Sequence, residues 1–464
     1  MKTISFTACL AALALGTLAT PAAAQRETPP PPTEARPFTL PEVTTYALPN
    51  GLQVTTVPYG RVPKVTIIAA VRSGNINEDG DTWLADMTTE LMQKGADGLD
   101  ASGLAEKAAA MGGSLSVSTG LDMTTASMDV LSESAPDAVA LIASVLRRPD
   151  FPAAELDKVR ADLMRNLSIS RSAPGPIANE AYAALLYPGH PYGRTLPTQA
   201  QLAGYTLDQV RAFHEANYGA ARTHIYVVGQ FDGEALRQAI EHEFGDWKQG
   251  PAPLSLPSAA NAQPQVVLIE RPGAPQSTVR IGKRVTPPRE ELDLLAANTL
   301  LGGYFSSRIT RNIREDKGYT YSPGSGVQRR AEGAAWTQQA DITSEATGPA
   351  ISEIFKEIRL MQNEPPSAGE LQGIKNYMNG TFVMSLASRS GVASNLAGLD
   401  LLGLGPDYLS TYVERVGALT AADLQQATAR ELPIDQMSVV IVGPLDSVRP
   451  QLEAVPELAG RLPR

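Results

Sequence analysis

Cysteine is all but missing from this 464-residue chain: the single copy, Cys9, sits inside the N-terminal leader, so the mature protein has no disulfide to staple it. Histidine is scarce too, with four copies, and His190, His214, His224 and His242 show no ligand-like spacing among themselves. A basic surplus is also lacking. Thirty-nine Lys and Arg against 49 Asp and Glu leave a formal net charge of -10, which excludes a nucleic-acid partner, because phosphate backbones need a basic face. Beyond the leader, no apolar run approaches the roughly 20 residues of a membrane-spanning helix.

The leader itself is distinctive. Lys2, the apolar run from Ile4 to Leu18 and Ala22-Ala23-Ala24 read as a secretory signal over residues 1–24, with cleavage after Ala24. The protein is therefore expected to be periplasmic or secreted. Residues 25–43, with Pro29-Pro30-Pro31-Pro32, are expected to form a stiff, poorly ordered linker.

The remaining chain is too long for one ordinary core, and a weak internal duplication divides it. His224-Ile225-Tyr226-Val227-Val228-Gly229 has a counterpart in Ser438-Val439-Val440-Ile441-Val442-Gly443, and each run leads into an acidic turn and a helical pattern. Between the halves, residues 249–264 are rich in Pro and Ala. The expected domains are thus 44–248 and 265–464. Each opens with β-branched strands, such as Val65–Arg72 and Thr278–Val285, continues through helices and returns to a strand. A helix is expected from Glu290 and strands over Tyr319–Val327 and Ala335–Ile342, so the class is α+β.

The most informative segment is the helix Trp83-Leu84-Ala85-Asp86-Met87-Thr88-Thr89-Glu90-Leu91-Met92. With Leu48-Pro49-Asn50-Gly51-Leu52 and Val65-Thr66-Ile67-Ile68-Ala69-Ala70-Val71-Arg72-Ser73-Gly74 ahead of it, it resembles the start of the M16 peptidase family, which includes pitrilysin, insulinase and mitochondrial processing peptidase. Active members carry His-x-x-Glu-His here: two histidines on one helical face hold Zn²⁺ and the glutamate activates its water. This chain has Asp86, Thr89 and Glu90 instead. The family's third ligand is a glutamate on a later helix, and the matching position is Asn166, preceded by Arg165. All four positions of the metal site are altered, so no catalytic zinc is expected in this chain. Asp86 and Glu90, at i and i+4, could chelate a hard cation weakly or simply form a polar helix face.

A second motif is intact. Arg314-Glu315-Asp316-Lys317-Gly318-Tyr319-Thr320-Tyr321 resembles the family's Arg-x-x-x-Gly-x-x-Tyr, whose arginine and final tyrosine reach substrate near the zinc. Taken with Ile269–Ser277 and Leu301–Arg308, the resemblance spans Thr44 to Asp446. It implies two homologous domains, each a mostly antiparallel sheet packed with helices. It also implies a two-chain enzyme in which this subunit supplies Arg314 and Tyr321 and a zinc-bearing M16 subunit supplies metal and base, together cutting unfolded peptides. The alternatives are a peptide-binding or chaperone-like protein without an enzyme partner, and an independently active hydrolase. For the latter, Ser306-Ser307 and the histidines offer residue types but no recognisable triad.

Overall fold

The computed structural model describes residues 39–258, 263–289 and 291–463. The expected signal segment, Cys9, most of the Pro-rich linker, part of the 249–264 connection and the helix start at Glu290 lie outside the described residues. Thirteen strands are present among those described: β1 Thr44–Ala47, β2 Gln53–Pro58, β3 Lys64–Val71, β4 Gly95–Ala96, β5 Leu99–Asp100, β6 Ser116–Thr119, β7 Thr124–Leu131, β8 Thr223–Gly229, β9 Val266–Glu270, β10 Gln276–Val285, β11 Gly324–Arg330, β12 Gly333–Thr343 and β13 Ser438–Gly443. Helices fill most of the remainder, giving the α+β layering expected from the sequence.

Two sheets carry the architecture, ordered β1-β2-β8-β3-β7-β6 and β11-β12-β10-β13-β9. Read from β9 inward, the second repeats the first. The duplicated strands β8 and β13 each pair in parallel with the first strand of the half, β2 or β9, and antiparallel with the next, β3 or β10. Among the described strands of these two sheets, only β1 has no counterpart. All other pairs within these sheets are antiparallel.

Strand β3 is buried along almost its whole length, which explains its largely apolar sequence. Val65, Ile67, Ala69 and Val71 face the core built by the first half's own helices. Ile68 and Ala70, with Tyr226 and Val228, face a core that includes Val392, Ala393 and Leu396 from the second half's Arg389–Leu401 helix. The exchange is mutual: Ala178, Tyr182 and Leu186 of the first half's Pro174–Leu186 helix pack with Val440 and Val442 of β13. Each half thus covers one face of the other's sheet, and burying each such Val or Ile contributes roughly 1.5–3 kcal/mol.

Polar contacts lock the same seam. Arg389 donates through Nη2 to Asp129 Oδ1 at 3.0 Å, and Asp129 also accepts from Lys64 Nζ at 2.6 Å and Thr66 Oγ1 at 2.7 Å. Gly229 makes room for this approach. Its φ is +143°, and a Cβ there would sit 2.3 Å from the Lys64 carbonyl oxygen and 2.9 Å from Arg389 Cδ.

Candidate functional site

The Leu84–Met92 helix lies where the motif placed it, entered through Trp83 in the left-handed conformation at φ +69°. Trp83 Nε1 donates to the Thr195 carbonyl at 3.0 Å, which fixes this entry. On the first turn, Asp86 Oδ2 accepts from Asn75 Nδ2 at 2.7 Å. The same amide donates to Glu78 Oε1 at 2.9 Å, and Glu78 Oε1 also accepts from the Ala85 N–H at 3.0 Å. Burial pushes the Glu78 carboxyl up to about 8, against the Asn75 hydrogen bond and with help from the neighbouring Asp86 charge. Burial also raises the Asp86 carboxyl, to which the Glu90 charge adds. A buried Glu78 and a half-buried Asp86, bridged by one amide, therefore meet at the start of this helix.

The other ligand positions are occupied differently. Thr89 is buried and its hydroxyl meets that of Thr119, which bonds Thr124 Oγ1 at 2.9 Å; Thr124 in turn reaches the Ser73 carbonyl at 2.8 Å and the Tyr218 hydroxyl at 3.2 Å. Glu90 is exposed and lies 4.0 Å from Lys94 Nζ, its i+4 neighbour. Asn166 is exposed on the Ala153–Ser172 helix. Zinc does not fit this donor set, which holds no histidine or thiolate, two poor neutral donors and two carboxylates, Asp86 already drawn toward Asn75 and Glu90 exposed beside Lys94. Among the described residues, no group of three or more His, Cys, Asp or Glu converges as a metal site. Asn75, Glu78, Thr119 and Tyr218 were invisible as site residues because no local spacing links them to the helix.

Arg314 and Tyr321 do come together. Arg314 lies on the wide-turned helix Arg311–Asp316, of the i→i+5 type often found at functional sites. Its guanidinium stacks over the Phe305 ring at 4.2 Å and the Tyr321 ring at 5.2 Å. Both rings are open to solvent, Phe305 at 65% and Tyr321 at 79% exposure. Arg314 Nε also lies 3.1 Å from Glu315 Oε1. The expected strand over Tyr319–Val327 starts later, at Gly324, because Pro323 has no N–H to give a ladder and Thr320 makes only an isolated bridge to Ile342. Tyr321 therefore stands on a loop instead of packing in a sheet.

Beside the pair is a cavity of about 390 Å³ lined by Tyr304, Phe305, Arg314, Ser325 and Gln339, among others. Its wall is held rigidly. Asn298 Oδ1 accepts from Ser325 Oγ at 2.7 Å and from Trp336 Nε1 at 2.8 Å, tying the second wide turn, Thr299–Gly303, to β11 and β12.

The histidines are mostly structural. His190 Nε2 and His214 Nε2 each bond a backbone carbonyl at 2.8 Å, of Leu256 and Leu146, and burial lowers His214 to about 4. His242 is exposed beside Glu243. His224 joins a cluster that sequence spacing did not suggest: Nε2 lies 2.7 Å from Thr55 Oγ1, and Nδ1 lies 3.4 Å from Asp400 Oδ2. Burial opposes ionisation of Asp400, but the His224 contact and nearby Arg72 hold its carboxyl below the usual range. These are the residue types of a hydrolytic triad. Thr55, however, is 3% exposed, and β2 is paired on both sides, with β1 at Thr45 and β8 at Tyr226, so its backbone offers no oxyanion donors. The cluster serves as a clasp between β8 and the Arg389–Leu401 helix.

Two duplicated α+β halves with exchanged helices, one carrying an arginine–tyrosine pair at a cavity, define a peptidase-like protein. Residues 59–198 match the family model described as insulinase (peptidase family M16), and residues 204–378 match that of the peptidase M16 inactive domain. The chain belongs to peptidase family M16. It is 25% identical over 411 residues to an uncharacterized zinc protease of Mycobacterium tuberculosis, covering 87% of this chain and 93% of that one. With the uncharacterized zinc protease YmxG of Bacillus subtilis it shares 24% over 407 residues, covering 86% and 98%. Among solved structures, the peptidase M16 inactive domain from Pseudomonas fluorescens superposes with a TM-score of 0.80 at 23% identity, over 87% of this chain and 98% of that one. A protease from Helicobacter pylori gives 0.82 at 20%, over 88% and 100%. Among the described residues, no helix is long and apolar enough to cross a membrane.

Proposed function

We propose that this chain is the non-catalytic subunit of a heterodimeric M16-type zinc endopeptidase, exported by its N-terminal signal and paired with a zinc-bearing M16 subunit. The observation that carries the reading is a contrast within one molecule. The helix that holds zinc in active relatives is here tied up by Asn75, Glu78 and a chain of threonine hydroxyls, whereas Arg314 lines a cavity with the exposed Tyr321 ring beside it.

The chemistry follows from the donors. Arg314 offers a planar fork to a peptide carbonyl or carboxylate once it loosens from Glu315. The Tyr321 hydroxyl can donate to an oxyanion forming at the scissile carbon, a contact that strengthens only as charge develops. Phe305 and Tyr321 both contact the guanidinium, which limits the orientations it must lose on binding substrate. Neither group generates a nucleophile. The partner's zinc supplies the activated water, and this chain supplies the wall that positions and polarises the peptide.

The purified full chain is expected to contain no stoichiometric zinc by elemental analysis and to leave a quenched-fluorescence peptide intact. Co-purification with its zinc-bearing partner is expected to yield cleavage. Tightly held zinc with cleavage by the partner-free chain rejects the proposal, and so does a complex in which Arg314→Ala and Tyr321→Phe both retain full activity. Peptide binding by a chain that associates only with itself favours the chaperone-like alternative.

A further inference from the structure

Neighbouring side chains on a strand point to opposite faces. On β11, Gln328 borders the Arg314 cavity, while Arg329 borders a second one of about 640 Å³. This second cavity is walled by the helices Ala368–Ser385, Arg389–Leu401 and Asp407–Ala418. Its size is typical of small-ligand sites, which run to about 300–1,000 Å³. One side is apolar, formed by the stacked rings of Phe382 and Tyr412, 4.2 Å apart, with Leu399, Leu402 and Leu409.

Polar groups adjoin it, Tyr408 standing one helical turn from Tyr412 with ring centroids 6.1 Å apart. Arg329 Nη1 is buried without a hydrogen-bond partner among the described residues, and so is the hydroxyl of Tyr408. Both residues line the cavity, and among the described residues no Asp or Glu does. The pocket is thus locally positive in a chain of net charge -10, and Arg329 also borders a neighbouring cavity that holds four further arginines and four carboxylates. An unmet buried guanidinium donor is costly, and its planar fork matches a carboxylate. The complement is therefore an apolar monocarboxylate.

We propose that this cavity binds the free C-terminal carboxylate of a peptide ending in an apolar residue. The carboxylate sits on Arg329 and Tyr408, and the last side chain lies against the Phe382–Tyr412 stack. That the carboxylate belongs to a peptide rests on the peptide-handling role proposed above; the chemistry of the cavity does not.

The test is a fluorescence-anisotropy titration of the partner-free full chain with an N-terminally labelled pentapeptide ending in Phe-Leu. Its C-terminal amide and decanoate are compared with it. The free acid is expected to bind at least tenfold tighter than the amide, and Arg329→Gln to weaken it at least tenfold, with Arg329→Lys recovering part of the loss. Gly398 lines the cavity, and a Cβ there would meet nothing within 4 Å, so Gly398→Leu fills the space from a helix that gains a better helix former. That variant is expected to abolish binding while its thermal midpoint holds or rises.

Equal affinity for acid and amide, or binding indifferent to both Arg329→Gln and Gly398→Leu, overturns the proposal. Decanoate binding without peptide binding overturns the peptide assignment. Loss of peptide binding in Arg314→Ala alone moves the peptide to the other cavity, overturning this site while leaving the proposed function standing. Because no zinc-bearing subunit takes part, failure of the heterodimer reading leaves the titration unaffected.

Discussion

Glu78→Gln tests whether a buried, neutral acid occupies the space beside the Leu84–Met92 helix. In the folded protein the Glu78 carboxyl titrates at about 8, against an ordinary 4.5 in the unfolded chain. Below pH 4.5 both states hold the proton and nothing is lost. Between 4.5 and about 8 the unfolded chain releases its proton while the folded one keeps it, so stability falls by about 1.36 kcal/mol per pH unit. The loss reaches about 3 kcal/mol at pH 7 and about 5 kcal/mol above pH 8.

Glutamine keeps an oxygen to accept from Asn75 Nδ2 and the Ala85 N–H, but its amide cannot accept from the Trp83 N–H that also stabilises the carboxylate. That lost contact costs about 1 kcal/mol at every pH. The variant should therefore be about 1 kcal/mol less stable than the parent at pH 4.5 and about 3–4 kcal/mol more stable at pH 8.5, the curves crossing near pH 5–6. Urea unfolding followed by tryptophan fluorescence across this range reads the difference directly, since Trp83 caps the same helix. Parallel curves, or a variant that loses stability as pH rises, would refute the assignment of a neutral Glu78.

Four further outcomes follow from the same geometry. In the reconstituted complex, Tyr321→Phe and Arg314→Ala should each lower kcat for peptide cleavage by about 10²–10³-fold, the usual cost of losing a transition-state donor, with unchanged thermal midpoints. His214 is held neutral by burial down to about pH 4, so the contribution that depends on its neutrality is lost as pH falls from about 6.5 toward 4; His214→Gln should flatten the acid side of a stability profile. Gly229→Ala forces a Cβ within 2.3 Å of the Lys64 carbonyl at φ +143°, so a loss of about 2–4 kcal/mol is expected in denaturant unfolding. Ile68→Ala opens a cavity between the first sheet and the Arg389–Leu401 helix and should cost about 2–4 kcal/mol, with hydrogen exchange rising in both elements together.

Much of this was legible without coordinates. The β-branched runs at β3, β8 and β13 announced themselves because strands buried on both faces are mostly apolar. The altered metal motif was equally plain, since its ligand positions sit one helical turn apart in the sequence. Tyr321 was less so: a strand was expected through it, but Pro323 delays pairing and leaves the ring on a loop, 79% exposed. The Glu78–Asn75–Asp86 group, the threonine relay from Thr89 to Tyr218 and the Thr55–His224–Asp400 clasp had no signal, because each is completed by a contact distant in sequence: Asn75 with Asp86 across 11 positions, Tyr218 with Thr124 across 94, and His224 with Asp400 across 176.

Local order therefore belonged to the sequence: which segments are strands or helices depends on residues within a turn or two of each other, and the repeat of the halves and the altered family motif are read by matching such short segments one at a time. What surrounds each segment was decided by tertiary structure. Whether Glu78 keeps its proton, which half's helix covers which sheet, and whether Arg314 meets Phe305 and Tyr321 depend on burial and on contacts brought about by the path of the whole chain, and no local pattern encodes that path.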